Sequence, residues 1–527
     1  MTPAAVLAAL LLALPPDPEL GERIYRDGVL PSGAPLAGVL HGDVPVSGAA
    51  FSCASCHRRS GFGTSEGGAY VPPVTAPALF ADRRLDRAEL FRELYQEVQP
   101  RTVMARVRDP RARPAYDAAS LAAVLREGRD PTGRRLDPLM PRYDLGDADM
   151  AHLTAYLRTL SAAPAIGVDG ARLHFATPVD AAADPEERAA VRAVIDAYVR
   201  RKNADTRGQL ARPGHSPWHM DDFLDSYREW VHHEWELAGP PSTWTAQLEA
   251  FYAERPVFAL LGGLGRQDWR PVHDFCERRE VPCLFPSTDL PVVDEEGAYA
   301  LYFTRGLTLE AQALARHLSE TAHGRVVQIY RGDAAVPARA FRQALGDAVV
   351  DTELDDATSE LLAETRPAVL VLWLDDAGLR ELGELPETVH EVYLSSSLVD
   401  EVPASWGERV RLTYPYALPG QEDPQVYRVR AWLRSRGVAR THERLQLEAY
   451  FALSIADHAL MHQAGSFSRD FFVESVEHEA ENALNPGVYP RLALGPGQRF
   501  ASKGCYVVRL ADGSPGGIEA VGGWIVP

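Results

Sequence analysis

The pattern of apolar and polar positions changes character near residue 165. Ahead of that point, apolar residues recur at helical spacing in two separated stretches. Gly21-Glu22-Arg23-Ile24-Tyr25 predicts one helix. Leu153, Tyr156, Leu157 and Leu160 fall at i, i+3, i+4 and i+7, the buried stripe of another. Beyond residue 165, β-rich apolar runs alternate with amphipathic helices. Strands are predicted at 172–176, 257–261, 283–285, 326–330, 369–373 and 392–394. Asp184-Pro185-Glu186-Glu187 reads as a helix start, with Asp as cap, Pro at the first position and acid in the first turn. Val191, Val194, Ile195, Tyr198 and Val199 would form its buried face, and further helices are expected at 309–318 and 338–345. Continuous β-rich runs separated by helices mean parallel sheets covered on both faces, and the length suits two such sheets.

Domain boundaries follow from this change. A chain of 527 residues exceeds what one hydrophobic core organises, so two or three domains are expected. The apolar run Ala4 to Leu14 is too short to span a bilayer and suits the core of a secretory signal, although no Lys or Arg precedes it. The expected organisation is a signal at 1–16, a first domain at 17–163, a linker at 164–170 and a second domain at 171–527. No later segment reads as transmembrane.

Composition adds two exclusions. With 46% apolar and 24% charged residues the chain is an ordinary globular sequence, with no stretch biased enough to suggest disorder. Its net charge of −19 argues against nucleic-acid binding, which needs a clustered basic footprint. An acidic surface would steer a basic partner or cationic ligand, or serve solubility alone.

The strongest local chemistry is Cys53-Ala54-Ser55-Cys56-His57. Two thiols at this spacing can each add to a haem vinyl group, which places the adjacent His under the iron. A redox dithiol would want a βαβ setting, and a zinc site would want a second Cys/His pair nearby; neither is evident. The surroundings resemble class I cytochromes c at the 21–25 helix, at the 153–160 helix and at Pro138-Leu139-Met140-Pro141-Arg142-Tyr143. The resemblance implies an all-α domain holding one covalent haem c through Cys53 and Cys56, with His57 and Met140 as axial ligands. Met104 and Met150 are the other methionines after the motif in this domain, and packing roles are expected for them. Tyr70, Arg134, Arg135, Arg142 and Tyr143 are candidate propionate or pocket partners. His/Met ligation favours outer-sphere electron transfer over oxygen or peroxide activation.

The second region resembles the type I periplasmic binding proteins related to leucine/isoleucine/valine receptors. The resemblance rests on Pro256–Gly263, on Val281–Thr288 after one helix, and on Tyr302-Phe303-Thr304-Arg305 leading into the next. It implies a bilobed α/β fold, two doubly wound parallel sheets with a small ligand between them. Gly263, Ser287, Thr288, Tyr302 and Ser395 map to the ligand loops, with turn chemistry as the competing reading. Trp218, Trp230, Trp235 and Trp244 mark either a reshaped first lobe or an interdomain face. Cys276 and Cys283 are either a disulfide or two buried thiols. Gly262-Gly263-Leu264-Gly265 lacks the third glycine of a dinucleotide fingerprint, and His458/His462 and His232-His233-Glu234 lack the remaining ligands of a metal site.

Together these readings point to an exported, periplasmic mono-haem electron carrier fused to a module for a small ligand or a docking partner. The expected redox partner is a quinoprotein-type dehydrogenase or another cytochrome, within a periplasmic dehydrogenase system or respiratory chain. Two alternatives stand beside this: a solute sensor whose haem reports redox state, and a peroxidase-like haem enzyme with an open iron site.

Overall fold

The computed structural model describes residues 15–41, 43–66, 69–83, 113–211, 227–293, 297–321, 324–346, 349–421, 424–463, 465–480, 487–495, 497–511 and 517–527. The apolar run of the expected signal, Met104 and Trp218 lie outside these residues. The chain forms two compact units, residues 1–164 and 165–527.

The N-terminal unit opens with α1 (Pro18–Asp27), capped by the Asp17 carboxylate accepting from the Glu19 N–H. Then follow β1 (Ala37–Leu40), β2 (Val44–Ser47), α2 (Cys53–His57), β3 (Thr64–Glu66), β4 (Ala69–Val71) and α3 (Ala76–Phe80). After the undescribed stretch come α4 (Ala118–Glu127), β5 (Arg142–Tyr143) and α5 (Asp147–Leu157). α1 packs across α5 at Gly21, where an added Cβ would stand 2.1 Å from the His152 carbonyl oxygen. Only glycine permits so close a crossing. Ile24, Tyr25, Leu36, Leu121, Leu125, Met150, Leu153, Tyr156 and Leu157 form the shared core. Each such side chain contributes roughly 1.5–3 kcal/mol when fully buried.

The expectation of an all-α unit is corrected. β1 pairs antiparallel with both β2 and β5, and β3 pairs with β4. The long connection between Tyr25 and Cys53 supplies the pairing partners: Gly38 and Val39 lie opposite Tyr143 and Arg142.

One local motif occurs twice, at an offset of 100 positions. α1 ends on Gly28 and α4 on Gly128, both left-handed (φ 65° and 68°). A tight arm follows each, closed by bridges Val29–Pro35 and Arg129–Arg135. The Leu36 N–H returns to the Gly28 carbonyl at 2.7 Å and the Leu136 N–H to the Gly128 carbonyl at 2.9 Å.

The C-terminal unit begins with β6 (Arg172–Asp180), α6 (Pro185–Leu210), β7 (Glu229–Leu237), α7 (Trp244–Glu254), β8 (Ala259–Leu261) and β9 (Leu264–Gly265). α8 (Arg270–Arg279), β10 (Cys283–Leu284), β11 (Ser287–Thr288) and β12 (Ala300–Leu301) complete the first sheet. Its order is β11-β9-β6-β8-β10-β12 with β7 on β6, all parallel. The Asp184 carboxylate caps α6 through the Glu186 and Glu187 N–H groups, as the sequence predicts. Trp230, Trp235 and Trp244 are buried in the packing of this sheet and its helices.

The second sheet alternates α9 (Gly306–Thr321), β13 (Val326–Tyr330), α10 (Ala335–Leu345), β14 (Val349–Glu353), α11 (Thr358–Thr365), β15 (Val369–Trp373), α12 (Asp376–Leu382), β16 (Glu391–Ser395) and β17 (Val410–Tyr414). The chain then returns to the first sheet: α13 (Val426–Ser435), α14 (Glu443–Met461) and α15 (Arg469–Glu479) share one apolar cluster with β6, α6 and β8. It finally rejoins the second sheet as β18 (Tyr506–Leu510) and β19 (Ile518–Ala520), an antiparallel hairpin on β17. This sheet is therefore mixed, where a parallel one was expected, because the tail folds back on itself before pairing. Segments 302–306, 414–421 and 502–506 lie on the passages of the chain between the sheets, and Tyr302-Phe303 runs beside 499–502 through Tyr302 N–H to Arg499 O and Ser502 N–H to Phe303 O.

Candidate functional site

In the N-terminal unit, α2 carries Cys53, Cys56 and His57 on little more than one turn. The His57 ring is buried, and its Nδ1 lies 2.9 Å from the Pro72 carbonyl oxygen. A carbonyl only accepts, so Nδ1 carries the proton and Nε2 keeps its lone pair. Burial lowers the His57 pKa, which keeps the ring neutral and able to ligate. Burial pushes the Cys53 thiol up to about 12, the reverse of what an activated redox dithiol needs. The zinc alternative also fails on grouping: among the described residues, no three or more His, Cys, Asp or Glu side chains are placed to hold a metal ion.

Met140 is half-buried and packs against the apolar cluster that also receives Cys53 and Ala54. Arg142 Nη1 donates to the Met140 carbonyl, and the buried Tyr143 hydroxyl donates to the Phe51 carbonyl at 2.9 Å, two residues before Cys53. Tyr143 therefore braces the motif helix rather than presenting a free donor, and burial raises its pKa. Arg134 pairs with Asp130 at 3.0 Å on the second arm, where Arg135 is exposed. The Tyr70 side chain lies outside the described residues. A covalent haem c fits the set: two cysteines on one turn, a neutral imidazole with a free Nε2, and a methionine against the same apolar wall.

In the C-terminal unit, a cleft is lined from both sheets and from α14. Ser287 and Thr288 line it as the sequence suggests. Gly263 instead borders an adjoining apolar recess walled by Val191, Ile195, Leu261, Phe285 and Leu453. Ser395 is wholly buried and accepts from the Ser397 N–H. Tyr302 is among the residues lining the cleft, while its hydroxyl meets His273 Nδ1 at 3.0 Å inside the core, on the opposite face from Phe303. Strand alternation decides this, since neighbouring side chains point to opposite faces.

The charged groups of the cleft are ones that the sequence reading did not single out. Glu448 accepts from Ser287 Oγ at 2.6 Å and Tyr489 Oη at 2.9 Å, with Arg444 Nη1 at 3.5 Å. Arg444 stacks over Tyr416 at 5.1 Å, and about a third of its side chain stays exposed. Burial opposes the Arg444 charge, but Tyr416, Glu448, Tyr489 and Asp289 outweigh it and hold the guanidinium protonated. Glu310, near the start of α9, accepts from Ser397 Oγ at 2.7 Å and from Thr413 Oγ1. Burial raises Glu310 to about 7 and Asp289 to about 6. Asp289 Oδ2 is buried with no hydrogen-bond partner. The available signal was polarity out of place: Glu448 interrupts a helix, α14, that is apolar and buried almost all round.

The remaining candidates have local roles. Cys276 and Cys283 are buried, unbridged thiols. His232 meets Thr177 Oγ1, Glu234 pairs with Arg192, and His462 pairs with Glu479, so neither histidine group converges on a metal. No helix among the described residues is long and apolar enough to cross a membrane.

The site and fold thus define a cytochrome c domain followed by a parallel-sheet α/β module. Residues 48–161 match the family model described as Cytochrome c. Solved structures similar to the chain include a fatty acid ABC transporter substrate-binding protein from Thermomonospora curvata (14% identity, TM-score 0.49, covering 69% of this chain and 95% of that one). A leucine binding protein LivK from Thermotoga maritima is 13% identical (TM-score 0.48, 67% and 99% covered). The branched-chain amino acid transporter substrate binding protein LivJ from Streptococcus pneumoniae, in complex with isoleucine, is 11% identical (TM-score 0.47, 66% and 99% covered). No curated protein matches the chain.

Proposed function

We propose that the chain is an exported, periplasmic mono-haem c-type electron carrier whose α/β unit binds a small solute in its cleft. The observation that carries the first half is the 2.9 Å contact between His57 Nδ1 and the Pro72 carbonyl, which fixes tautomer and ring orientation and leaves Nε2 to ligate. Cys53, Cys56, His57 and Met140 would hold haem c, which would supply a one-electron couple there. The chain's own contribution is positional. Pro72 holds the imidazole, Arg142 tethers the Met140 backbone, and Tyr143 ties the methionine loop to Phe51.

For the cleft, Arg444 offers unused guanidinium donors and Asp289 an unused carboxylate oxygen. That pairing suits a small solute bearing both an acidic and a hydrogen-donating group. The redox partner is a periplasmic dehydrogenase of the quinoprotein type or another cytochrome.

Spectroelectrochemistry of the purified protein tests the haem reading. A reversible low-spin couple is expected, with a methionine–iron charge-transfer band that Met140→His abolishes while lowering the potential. Rapid carbon monoxide binding to the native reduced protein would show an open iron and overturn it. Calorimetry with a panel of amino acids and short organic acids tests the cleft; heat from none of them removes the solute reading.

A further inference from the structure

Three cysteines stand outside the haem motif, and two of them share one part of the core. α8 ends at Arg279, and Glu280 follows in the left-handed region (φ 51°), so the chain reverses at once. The Val281 N–H closes the turn on the Cys276 carbonyl at 2.9 Å. Two residues on, Cys283 opens β10, the strand held between β8 at Leu260 and β12 at Ala300. Cys276 and Cys283 are both buried, in the apolar cluster that α8 shares through Val272 and Phe275.

The two thiols are also neighbours. Burial raises Cys276 well above the ordinary thiol range, and the Cys283 thiol beside it adds to the rise. The Tyr302 hydroxyl, bonded to His273 Nδ1 at 3.0 Å, is raised in the same way, by burial first and then by Cys283 and Cys276. Cys505 lies apart, one residue before β18 of the second sheet, where its Sγ donates to the Tyr506 carbonyl at 3.1 Å.

We propose that Cys276 and Cys283, thiols in this structure, are a modification site: a disulfide, installed during folding by an exchange partner that carries a disulfide of its own, staples the end of α8 to β10. The thiolate of one cysteine attacks the partner's disulfide, giving a mixed disulfide and one partner thiol. The other cysteine then displaces the second partner sulfur. The chain loses two S–H bonds and gains one S–S bond; two electrons and two protons leave as the partner's dithiol.

Timing follows from burial. The folded core excludes an exchange partner and keeps Cys276 protonated, whereas the unfolded chain presents both thiols near their ordinary pKa of about 8.5. Every residue of the cluster except Phe500 has been synthesised by residue 302. The staple is therefore available to this face of the first sheet before α14 and α15 arrive to cover the other.

The proposal rests on the exported reading above, and the experiment separates the two. The full-length haem-loaded protein is unfolded in guanidinium chloride with iodoacetamide and no reductant, then digested for mass spectrometry. With Cys53 and Cys56 bound to haem, only Cys505 should be alkylated. The peptides of Cys276 and Cys283 should be joined, and lighter by two hydrogens than after reduction. Alkylation of all three cysteines in exported protein overturns the proposal while the exported reading stands. Recovery of the haem-loaded protein in the cytoplasmic fraction overturns that reading instead. The pair is then decided by refolding the reduced chain in mixed reduced and oxidised glutathione, where the bridge should form and three free thiols overturn it. Breaking the bridge with dithiothreitol should shift the unfolding equilibrium of the α/β unit about 10- to 100-fold toward the unfolded chain, the effect of opening a short loop. Cys276→Ala/Cys283→Ala should show no response to the reductant, and equal responses in the two proteins overturn the proposal.

Discussion

The chemistry of the N-terminal unit is concentrated in one turn of helix, whereas the cleft of the C-terminal unit is assembled from distant segments. α2 presents both cysteines and the histidine within five residues, and a single backbone carbonyl, that of Pro72, orients the ring. The cleft draws on Ser287, Asp289, Glu310, Ser397, Tyr416, Arg444, Glu448 and Tyr489, spread over some 200 positions of sequence. In the proposed function, the first arrangement would gain its strength from covalent attachment of haem. The second depends on charges that hold one another in place: Glu448 is fixed by Ser287 and Tyr489, and Arg444 by Tyr416 and Glu448. Removing one member of such a network leaves its partners buried and unpaired.

The largest effect should come from Cys53→Ala/Cys56→Ala. Covalent haem should be absent altogether, read by the pyridine haemochrome spectrum, while calorimetric solute binding survives. Loss of solute binding in this variant would mean that the two sites are not as separable as the contrast implies. Arg444→Ala is the converse: solute affinity should fall about 10- to 100-fold, the value of a charge-assisted bond of ~1.5–3 kcal/mol, with the haem spectrum unchanged.

A pH series sharpens the electrostatic side of the comparison. Glu310 rises from 4.5 to about 7 and Asp289 from 3.8 to about 6 on folding, both through burial. The folded state therefore binds more protons than the unfolded chain across that interval. These groups contribute stability that is full below pH 4 and lost as pH climbs toward 7. Thermal melts of the α/β unit should weaken between pH 5 and 7, and Glu310→Gln should flatten the slope; an unchanged slope would show the carboxyl to be ionised throughout. The smallest effect is expected for Tyr143→Phe, which deletes one hydrogen bond to Phe51 and should cost the N-terminal unit about 1 kcal/mol in denaturant titration.

The same contrast explains what could be read from residues alone. The Cys53–His57 motif and the Asp184 cap are local, so their spacing carries them. The strand at 369–373 is buried on both faces and reads as an unbroken apolar run, and that at 326–330 is interrupted only by Gln328. By comparison, Tyr302 lines the cleft, but strand alternation carries its hydroxyl away to His273. Arg444 and Glu448 lie on a helix whose spacing signals only core, and their partners come from strands and loops far away in sequence. The strands of the N-terminal unit were hidden for a related reason. β1 and β5 span four residues and two, too short for alternation to register, and pair across about a hundred positions.

The three passages of the chain between the two sheets have a consequence for how the protein is made. The first sheet is complete in its strands at residue 301, yet the helices that cover Phe258, Phe285 and Leu261 include α14 and α15, which end at residue 479. On a growing chain, that apolar face therefore waits for nearly 180 further residues, during which the whole α/β portion of the second sheet is synthesised. An uncovered parallel sheet is prone to stick to others like it. The part of this unit that is begun first is thus among the last to be finished, and its exposed interval is set by the path of the chain.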